Sequence, residues 1–488
     1  MSEKGSNSAA DILKRMSRLS VGKRELLRGL IAEKVLPPHI AAQNGDLKAY
    51  PLSTSQQWMW HYDRSEPGSS ISNLTYIVNI KAPVKFNAMD RIIEAIAQRH
   101  EILRTTFVST DGEPYQKISP SLALELETVD ISGLKEEQIK DEVFRMARKQ
   151  HSAPFDLEKG PLFRAVFFRT GPDERVIIMT VHHIICDGWS VGIFMRELAA
   201  LYTGIKSDLP EPPLQYVDFA LWQQQRLQGR VLDSIKSYCR EKLSDIPVLD
   251  LPTDRPRPEN RTFNGKTLSS DFPTPLYNSV KDFSKSEGFT PFVILLAAFK
   301  VLLYSYTGQE DIMVATFTSG RERTEVQSLI GYFVHKLFLR TDLSGNPSIR
   351  DILARIKDVY IEAHDHQEIP YKMLQEIMQT RPAISPHLPI QVGFVLENFR
   401  LPSLGSKILN ISLVRFDPEQ SRYELSLYIW DNLKEPKCTL TYSTELFSDS
   451  AISKMMEDYL SILEAMVQNP ELRIAELGNL AEIEAGSR

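Results

Sequence analysis

Cysteine is scarce: Cys186, Cys239 and Cys438 are the only three in 488 residues, odd in number and widely spaced. That pattern supports neither a disulfide framework nor a zinc knuckle, and a reducing cytoplasm is the compartment it fits. An excess of one charge is missing as well. Lys and Arg number 57 against 63 Asp and Glu, a formal net charge of −6, so no global basic field is available to attract nucleic acid or an anionic membrane. Long apolar runs are lacking: Phe292 to Phe299 is the longest and falls far short of the roughly 20 residues that span a bilayer. The polar start MSEKGSNSAAD has no signal-peptide core. These lacks predict a cytoplasmic protein with no nucleic-acid partner and no membrane partner, whose charged docking is local. There is no short-period repeat and no low-complexity tract beyond the prolines.

What is present is ordinary globular composition, 42% hydrophobic and 25% charged, which excludes disorder, collagen-like repeats and a disulfide mini-scaffold. At about 150 residues per domain the length predicts roughly three units, or two large ones. Residues 1 to 11 are small and polar, and Ser20 followed by VGKRELLRGLIAEK reads as a capped helix with Leu26, Leu27, Leu30 and Ile31 on one face, ended by Pro37 and Pro38. Its cations, Lys14, Arg15, Arg18, Lys23, Arg24 and Arg28, either dock an acidic partner or form a solvated face. Ala88 to Phe107 reads as a helix with Ile92, Ile93, Ile96 and Ile102 inward, and Arg175 to Val181 as a buried strand. A second helix follows that strand, with Ser190 as N-cap, Val191, Phe194, Met195, Leu198 and Leu201 at helical spacing, and Gly204 as its stop. The intervening VHHIICDG is then a loop held between two core elements.

Proline-rich stretches at 208 to 216 and 247 to 265 mark a connection over the surface and a boundary between two halves. Beyond it Thr290 caps the apolar helix PFVILLAAFKVLLYSY, and the strand DIMVATFT follows the turn TGQE, which begins a second mixed α/β unit. The predicted organisation is an extension over 1–45 and two lobes over 46–225 and 226–488.

One constellation carries chemistry: His182, His183, Asp187 and Gly188, at the exit of a hydrophobic strand. At average usage these four positions match by chance roughly once in a thousand chains of this length. Adjacent side chains at a strand end diverge, so only one of the two histidines faces a given cleft. A histidine with a pKa near 6.5 can take a proton from an attacking amine or hydroxyl. Asp187 would pair with a cation or orient the loop, and Gly188 would supply torsions that a side chain forbids and open the backbone to a ligand. A metal centre fits less well, because the histidines diverge and no second ligand cluster accompanies them; no metal and no permanently bound cofactor is expected. Arg99, His100 and Glu101 read as ion pairing at a helix end, Tyr216, Asp218 and Trp222 as packing at the lobe junction, and His364 to His366 as a polar helix end. Cys186 reads as a packed, inert thiol.

VHHIICDGWS resembles the signature motif of the condensation domains of non-ribosomal peptide synthetases, within the chloramphenicol-acetyltransferase-like superfamily. The resemblance extends over nearly the whole chain: PLSTSQQWMW (51–60), RHEILRTTF (99–107), YVDFALW (216–222), IGYFVHKLFLR (330–340), HQEIPYK (366–372) and the stretch before PIQVGF (389–394) are similar, in order, to further family motifs. It implies an α/β (α+β) fold of two acetyltransferase-like lobes in a V, a monomeric pseudo-dimer with a central tunnel. It implies too that donor and acceptor carrier proteins present substrates tethered to 4′-phosphopantetheine. The acceptor amine, or hydroxyl, then attacks the donor thioester to give an amide or ester, as in non-ribosomal peptide or hybrid polyketide-peptide synthesis. Carried over residue by residue, His183 deprotonates or positions the nucleophile, His182 and Asp187 hold the loop, and the Gly188 N–H backs the reacting carbonyl. Trp189, Ser190, Tyr332 and His335 would line the tunnel, and Arg104 and Arg340 would be structural members of their motifs.

Three departures from the family pattern stand out. Trp58 replaces an arginine that would help hold Asp187, a role Arg340 is expected to take over. His335 and Lys336 stand where Asn-Thr is common, and Cys186 replaces a small hydroxyl or alanine. Two rival functions are a free-standing O-acyltransferase using a coenzyme A or carrier thioester and a small alcohol, and a non-catalytic recruitment module. Modules of the latter kind typically lose the second histidine or the motif glycine, both present here. No adenylation signature or carrier-protein serine motif occurs, so adjacent adenylation or polyketide synthase modules, or other chains, are expected to supply activation and tethering; the sequence suits an excised domain and a stand-alone protein equally.

Overall fold

In a computed structural model, residues 49–81, 86–122, 124, 126–203, 209–259, 261–378, 390–398, 410–414, 416–433 and 435–477 are described. The helix expected after Ser20, its basic residues and the Gly204 stop lie outside them.

The first half runs β1 (Tyr50–Pro51), α1 (Thr54–Ser65), β2 (Asn73–Lys81), α2 (Phe86–Arg99), β3 (Thr105–Thr110), β4 (Glu113–Ile118), β5 (Glu127–Asp130), α3 (Glu136–Ser152), β6 (Phe163–Arg169), β7 (Glu174–His182), α4 (Gly188–Thr203) and α5 (Tyr216–Arg226). The second runs α6 (Gly229–Lys242), β8 (Gly265–Asp271), α7 (Thr274–Glu287), α8 (Pro291–Thr307), β9 (Asp311–Thr318), β10 (His335–Asp342), α9 (Ile349–Asp365), α10 (Tyr371–Met378), β11 (Val392–Glu397), β12 (Asn410–Val414), β13 (Leu425–Trp430), β14 (Lys437–Ser443) and α11 (Asp449–Gln468). Two mixed sheets organise them. One has the order β10-β9-β11-β13-β14-β8, the other β12-β2-β7-β6-β5, and β1, β4 and β3 form a small third sheet. The first contains strands of the second half only. In the other, β12 crosses back to pair antiparallel with β2, Asn410 opposite Lys81 through Val414 opposite Ile77.

Strand β7 is central because it can be: Arg175 through His182 is buried throughout, as a strand covered on both faces requires. The apolar helix expected after Thr290 is α8. Thr290 accepts a hydrogen bond from Val293 N–H, Gly308 closes the helix in the left-handed region at φ 65°, and Val293 to Leu303 is buried without a break. Within that run Lys300 donates to the carbonyls of Ile312 (2.9 Å) and Leu339 (2.6 Å). Its ammonium thus ties β9 to β10, while burial pushes its pKa down to about 7.

The helix expected over Ala88 to Phe107 is shorter. Helix α2 stops at Arg99, Glu101–Arg104 is a 3-10 turn, and Phe107 lies in β3. Ile92, Ile93, Ile96 and Ile102 are nonetheless all buried, because a 3-10 turn keeps nearly the same inward phase for one more turn. The end of α2 is fixed by ions, as expected of this segment: Glu197 on α4 accepts from Arg99 (3.0 Å) and faces His100 Nε2 at 3.1 Å. Arg104 donates to the carbonyls of Ala97 and Ser119 and to Glu101, so it braces the turn between α2 and β3.

Candidate active site

The signature segment falls where β7 hands over to α4. His182 is the last strand residue, and His183–Ile185 forms a 3-10 turn. The two histidines therefore part ways by a change of backbone as well as by strand alternation. His182 Nδ1 accepts from Ile184 N–H (3.2 Å), so its proton is assigned to Nε2, which faces Asp63 Oδ1 at 3.2 Å. The ring is 1% exposed and serves as a brace between α1 and the turn.

His183 is oriented differently. Its backbone N–H donates to Ser72 O (2.8 Å), and Nδ1 lies 2.7 Å from the Cys186 carbonyl. A carbonyl only accepts, so the proton is assigned to Nδ1, and among the described residues no donor takes the Nε2 lone pair. Burial, with help from the Arg422 charge and against the Cys186 bond and Asp187, pulls the imidazole down to about 4. At neutral pH it is an uncharged acceptor. The Tyr332 ring covers one side, centroids 4.6 Å apart, and is itself pushed up to about 12 by burial, so it stays a neutral phenol.

Asp187 is 1% exposed and does not reach either histidine. Oδ1 accepts from Ser190 N–H (2.8 Å), Ser190 Oγ (2.7 Å) and Arg321 Nη2 (3.0 Å); Oδ2 accepts from Arg321 Nη2 (3.1 Å) and Phe333 N–H (3.2 Å). Here two expectations are corrected. The N-terminus of α4 is capped by Asp187, whose side chain and carbonyl take the Ser190 and Val191 N–H groups, and Ser190 lies inside the first turn. The cation is Arg321, not Arg340, which instead forks onto Asp311 (Nη2 to Oδ2, 2.7 Å) beside it on the β9–β10 ladder. Arg321 also donates to the carbonyls of Val326 and Leu329, both at 2.8 Å, and stacks over Phe333 at 4.1 Å. The aspartate thus has its cation despite Trp58, whose indole N–H bonds Ile369 O at 3.0 Å. One local hint of Arg321 exists: it directly follows a glycine at the end of an apolar strand, as Asp187 follows β7.

Gly188 is corrected in part. Its φ is not in the left-handed region and an added Cβ would meet nothing within 4 Å, so neither torsion nor protein crowding explains a glycine there. The space beside it is open, and its N–H stands among the unpaired donors of the first turn of α4. Gly331 is the crowded one: a Cβ would lie 2.0 Å from the Tyr216 ring. That contact seats the IGYF segment on α5, where Tyr216 Oη donates to Tyr332 O (2.5 Å) and lies 2.8 Å from Ser53 Oγ.

Of the expected tunnel residues, Ser190 is buried in the Asp187 network. Trp189 donates to Gln327 O (2.9 Å), and Tyr332 covers His183. His335, 6% exposed, lies 3.1 Å from Ser55 Oγ; burial pulls it down to about 4, with Glu322 opposing. Cys186 is buried and its thiol is pushed well up by burial, as expected of a packed residue. His364 pairs with Glu322 at 3.4 Å and His366 stacks on Tyr238, as a polar helix end would.

A family model described as Condensation domain matches residues 47–486. A linear gramicidin synthase of Brevibacillus parabrevis is 39% identical over 443 residues, 89% of this chain and 6% of that protein. The chondramide synthase of Chondromyces crocatus is 34% identical over 434 residues, 88% of this chain and 11% of that protein. The chain thus spans about a tenth or less of the length of these relatives. Among solved structures, the X-domain from teicoplanin biosynthesis superposes with TM-score 0.78 at 24% identity, covering 90% of this chain and 99% of that one. The condensation domain from Monacolin K polyketide synthase gives TM-score 0.74 at 21% identity, covering 88% and 99%. At those identities the likeness is one of fold.

Proposed function

Because this chain belongs to the condensation-domain family, a family of amide-forming acyltransferases of peptide biosynthesis, we propose that it joins two carrier-tethered substrates at His183. The observation that carries the reading is the tautomer of that residue: with Nδ1 committed to the Cys186 carbonyl at 2.7 Å, Nε2 is a fixed acceptor on a neutral ring. In the proposed step an acceptor amine donates a hydrogen bond to Nε2 while its lone pair attacks the donor thioester carbonyl. The C–N bond forms, and the nitrogen becomes positive and strongly acidic. Even a base of pKa about 4 then takes its proton, the tetrahedral species expels the pantetheine thiolate, and the proton passes to that sulfur. The Gly188 N–H and the positive end of α4 are offered to the oxyanion. His182 and Asp187 touch neither reactant; they are positioning residues that fix the turn.

The finer expectations rest on the same reading: phosphopantetheine-borne donor and acceptor, neighbouring adenylation or polyketide synthase modules, lobes over 46–225 and 226–488 in a monomeric pseudo-dimer around a tunnel. All three cysteines are unpaired and buried, which fits a reducing cytoplasm. Among the described residues no single helix is long and apolar enough to cross a membrane.

The test is intact-protein mass spectrometry of transfer from acyl-phosphopantetheine carriers to amines and alcohols, free and carrier-bound. His183→Ala is expected to lower transfer by about 10²-fold or more with the melting curve unchanged. A variant that keeps most of the activity removes the proposed role. Product on a free acceptor only would favour the stand-alone acyltransferase, and no transfer with any pair the recruitment module.

A further inference from the structure

Arg422 stands beside the reaction centre, and Lys336 beside Arg422, and among the described residues neither has an acid. Arg422 Nη2 donates to Ile71 O at 3.3 Å, while the His183 N–H donates to Ser72 O at 2.8 Å. Consecutive carbonyls of the segment leading into β2 therefore hold the two residues as neighbours. The Arg422 guanidinium lies 5.2 Å from the Tyr62 ring, with Tyr332, Tyr423 and Tyr428 around it. Lys336 comes from the other sheet, on β10. Its ammonium lies 5.5 Å from the Trp58 ring and 5.7 Å from the Tyr423 ring, and the Arg422 charge reaches it. Trp58 and Lys336 are both places where the chain departs from the family pattern, and the departures meet here.

Ion pairing does not account for these charges: among the described residues no carboxylate oxygen lies within 4.0 Å of either. Arg321, Arg99 and Arg340, by contrast, each hold a carboxylate. Both side chains keep some accessible surface, yet burial is the main cause that brings the Lys336 ammonium down to about 7, with Arg422 second. A poorly hydrated charge that keeps some accessible surface is one that a small ligand can reach. Two like charges held there repel each other and lack water, and the change that relieves both costs is an anion bound between them.

We propose that Arg422 and Lys336 form an anion subsite beside His183 that selects an aminoacyl group whose side chain ends in a carboxylate. The proposal rests on the reading of His183 as the reaction centre. With the thioester there, the phosphate of the pantetheine arm is at the far end of that arm, so an anion beside His183 belongs to the acyl or acceptor group itself. Neutral Trp58, Tyr62 and Tyr423 supply faces for the methylenes that lead to the carboxylate.

Glutamyl and glutaminyl groups have the same shape and differ in charge, so they form the test. Each is loaded on the donor carrier in one arm and on the acceptor carrier in the other, against an alanyl partner, and the acid-to-amide ratio of kcat/KM is read by mass spectrometry. One arm is expected to favour the acid about tenfold or more, and the ratio is expected to fall toward one in Arg422→Gln and Lys336→Gln, which keep hydrogen-bonding length. A ratio near one in both arms, or one the variants leave unchanged, overturns the subsite. Calorimetric titration of the wild-type chain with unreactive amide-linked glutamyl- and glutaminyl-pantetheine separates this from the condensation reading. Acid-selective binding without any transfer keeps the subsite and rejects the reaction, whereas equal binding, or none, rejects the subsite.

Discussion

At the scale of single residues, Asp187 is the charged member of the signature, and its work is structural. Asp187 meets five donor contacts from Arg321, Ser190 and the Phe333 N–H and is sealed from water, so its charge is spent on holding the first half of the chain to the 321–333 segment of the second. Asp187→Ala would leave Arg321, 3% exposed, as a buried cation without its acid. Breaking such a pair costs about 3–5 kcal/mol, and urea unfolding is expected to show a loss of that size together with lost transfer. Asp187→Asn, which keeps one oxygen for the Ser190 bonds but turns an NH2 toward the Phe333 N–H, is expected to lose less. Unchanged stability of Asp187→Ala would show that the pair contributes nothing net. The signature itself is legible in the sequence, since a histidine pair and Asp-Gly after an apolar run is a local pattern. Its cation is not. Arg321 lies 134 positions from Asp187, and no periodicity links them; Arg340 is excluded only by strand register, which sets it opposite Met313 and within diagonal reach of Asp311 on the same ladder.

At the scale of elements, the periodic ones are legible and the long-range ones are not. Strand β7, helix α8 with its Thr290 cap, and strand β9 follow from apolar runs and local caps, which need no knowledge of partners. Propensity misplaces the end of α2, because Glu101 to Arg104 continues the helical phase while His100 is drawn to Glu197 on another helix. Strand β12 leaves no readable trace, since its pairing with β2 is made across more than 300 residues. Glycines separate the two kinds of constraint at the site. Gly331→Ala places a Cβ 2.0 Å from the Tyr216 ring, and overpacking of that kind costs about 1–3 kcal/mol while shifting Phe333 N–H from Asp187. Gly188→Ala meets no protein atom within 4 Å and is expected to melt as the parent does. If the open side of Gly188 receives the reacting carbonyl, the same methyl slows transfer. Stability loss confined to Gly331→Ala and rate loss without stability loss in Gly188→Ala is the expected pattern; a Gly188→Ala chain that works at full rate would remove the oxyanion role.

At the scale of the whole described chain, the halves are sewn together rather than merely abutted. Strand β12 completes the sheet of the first half, Asp187 grips Arg321, Trp58 donates to Ile369 O, Trp189 to Gln327 O and Tyr216 to Tyr332 O. Ser55 meets His335 across the same seam. Two of the groups there, His183 and His335, are held neutral by burial at about 4, against about 6.5 in an unfolded chain. Between those values the unfolded state binds more protons than the folded one at these two sites, so the stability they contribute falls as pH is lowered from about 6.5 toward 4 and is fully present above that window. Each histidine contributes a slope of up to about 1.4 kcal/mol per pH unit. Burial lowers His61 and His151 as well, and carboxylates, at about 4 when unfolded, add their loss only at the bottom of the window, so its upper part reports these four histidines together. Urea midpoints measured from pH 8 to 4.5 are expected to fall in two steps, from pH 8 toward 7 as Lys300 and Lys336, lowered to about 7, take up in the fold the protons they carry when unfolded, and again below 6.5; His335→Gln, which keeps a partner for Ser55, is expected to flatten the second drop by one histidine's share. A midpoint independent of pH through 6.5 to 4.5 would mean that the seam admits protons, and with them water, as freely as the unfolded chain does, and a dry reaction centre at His183 would then be untenable.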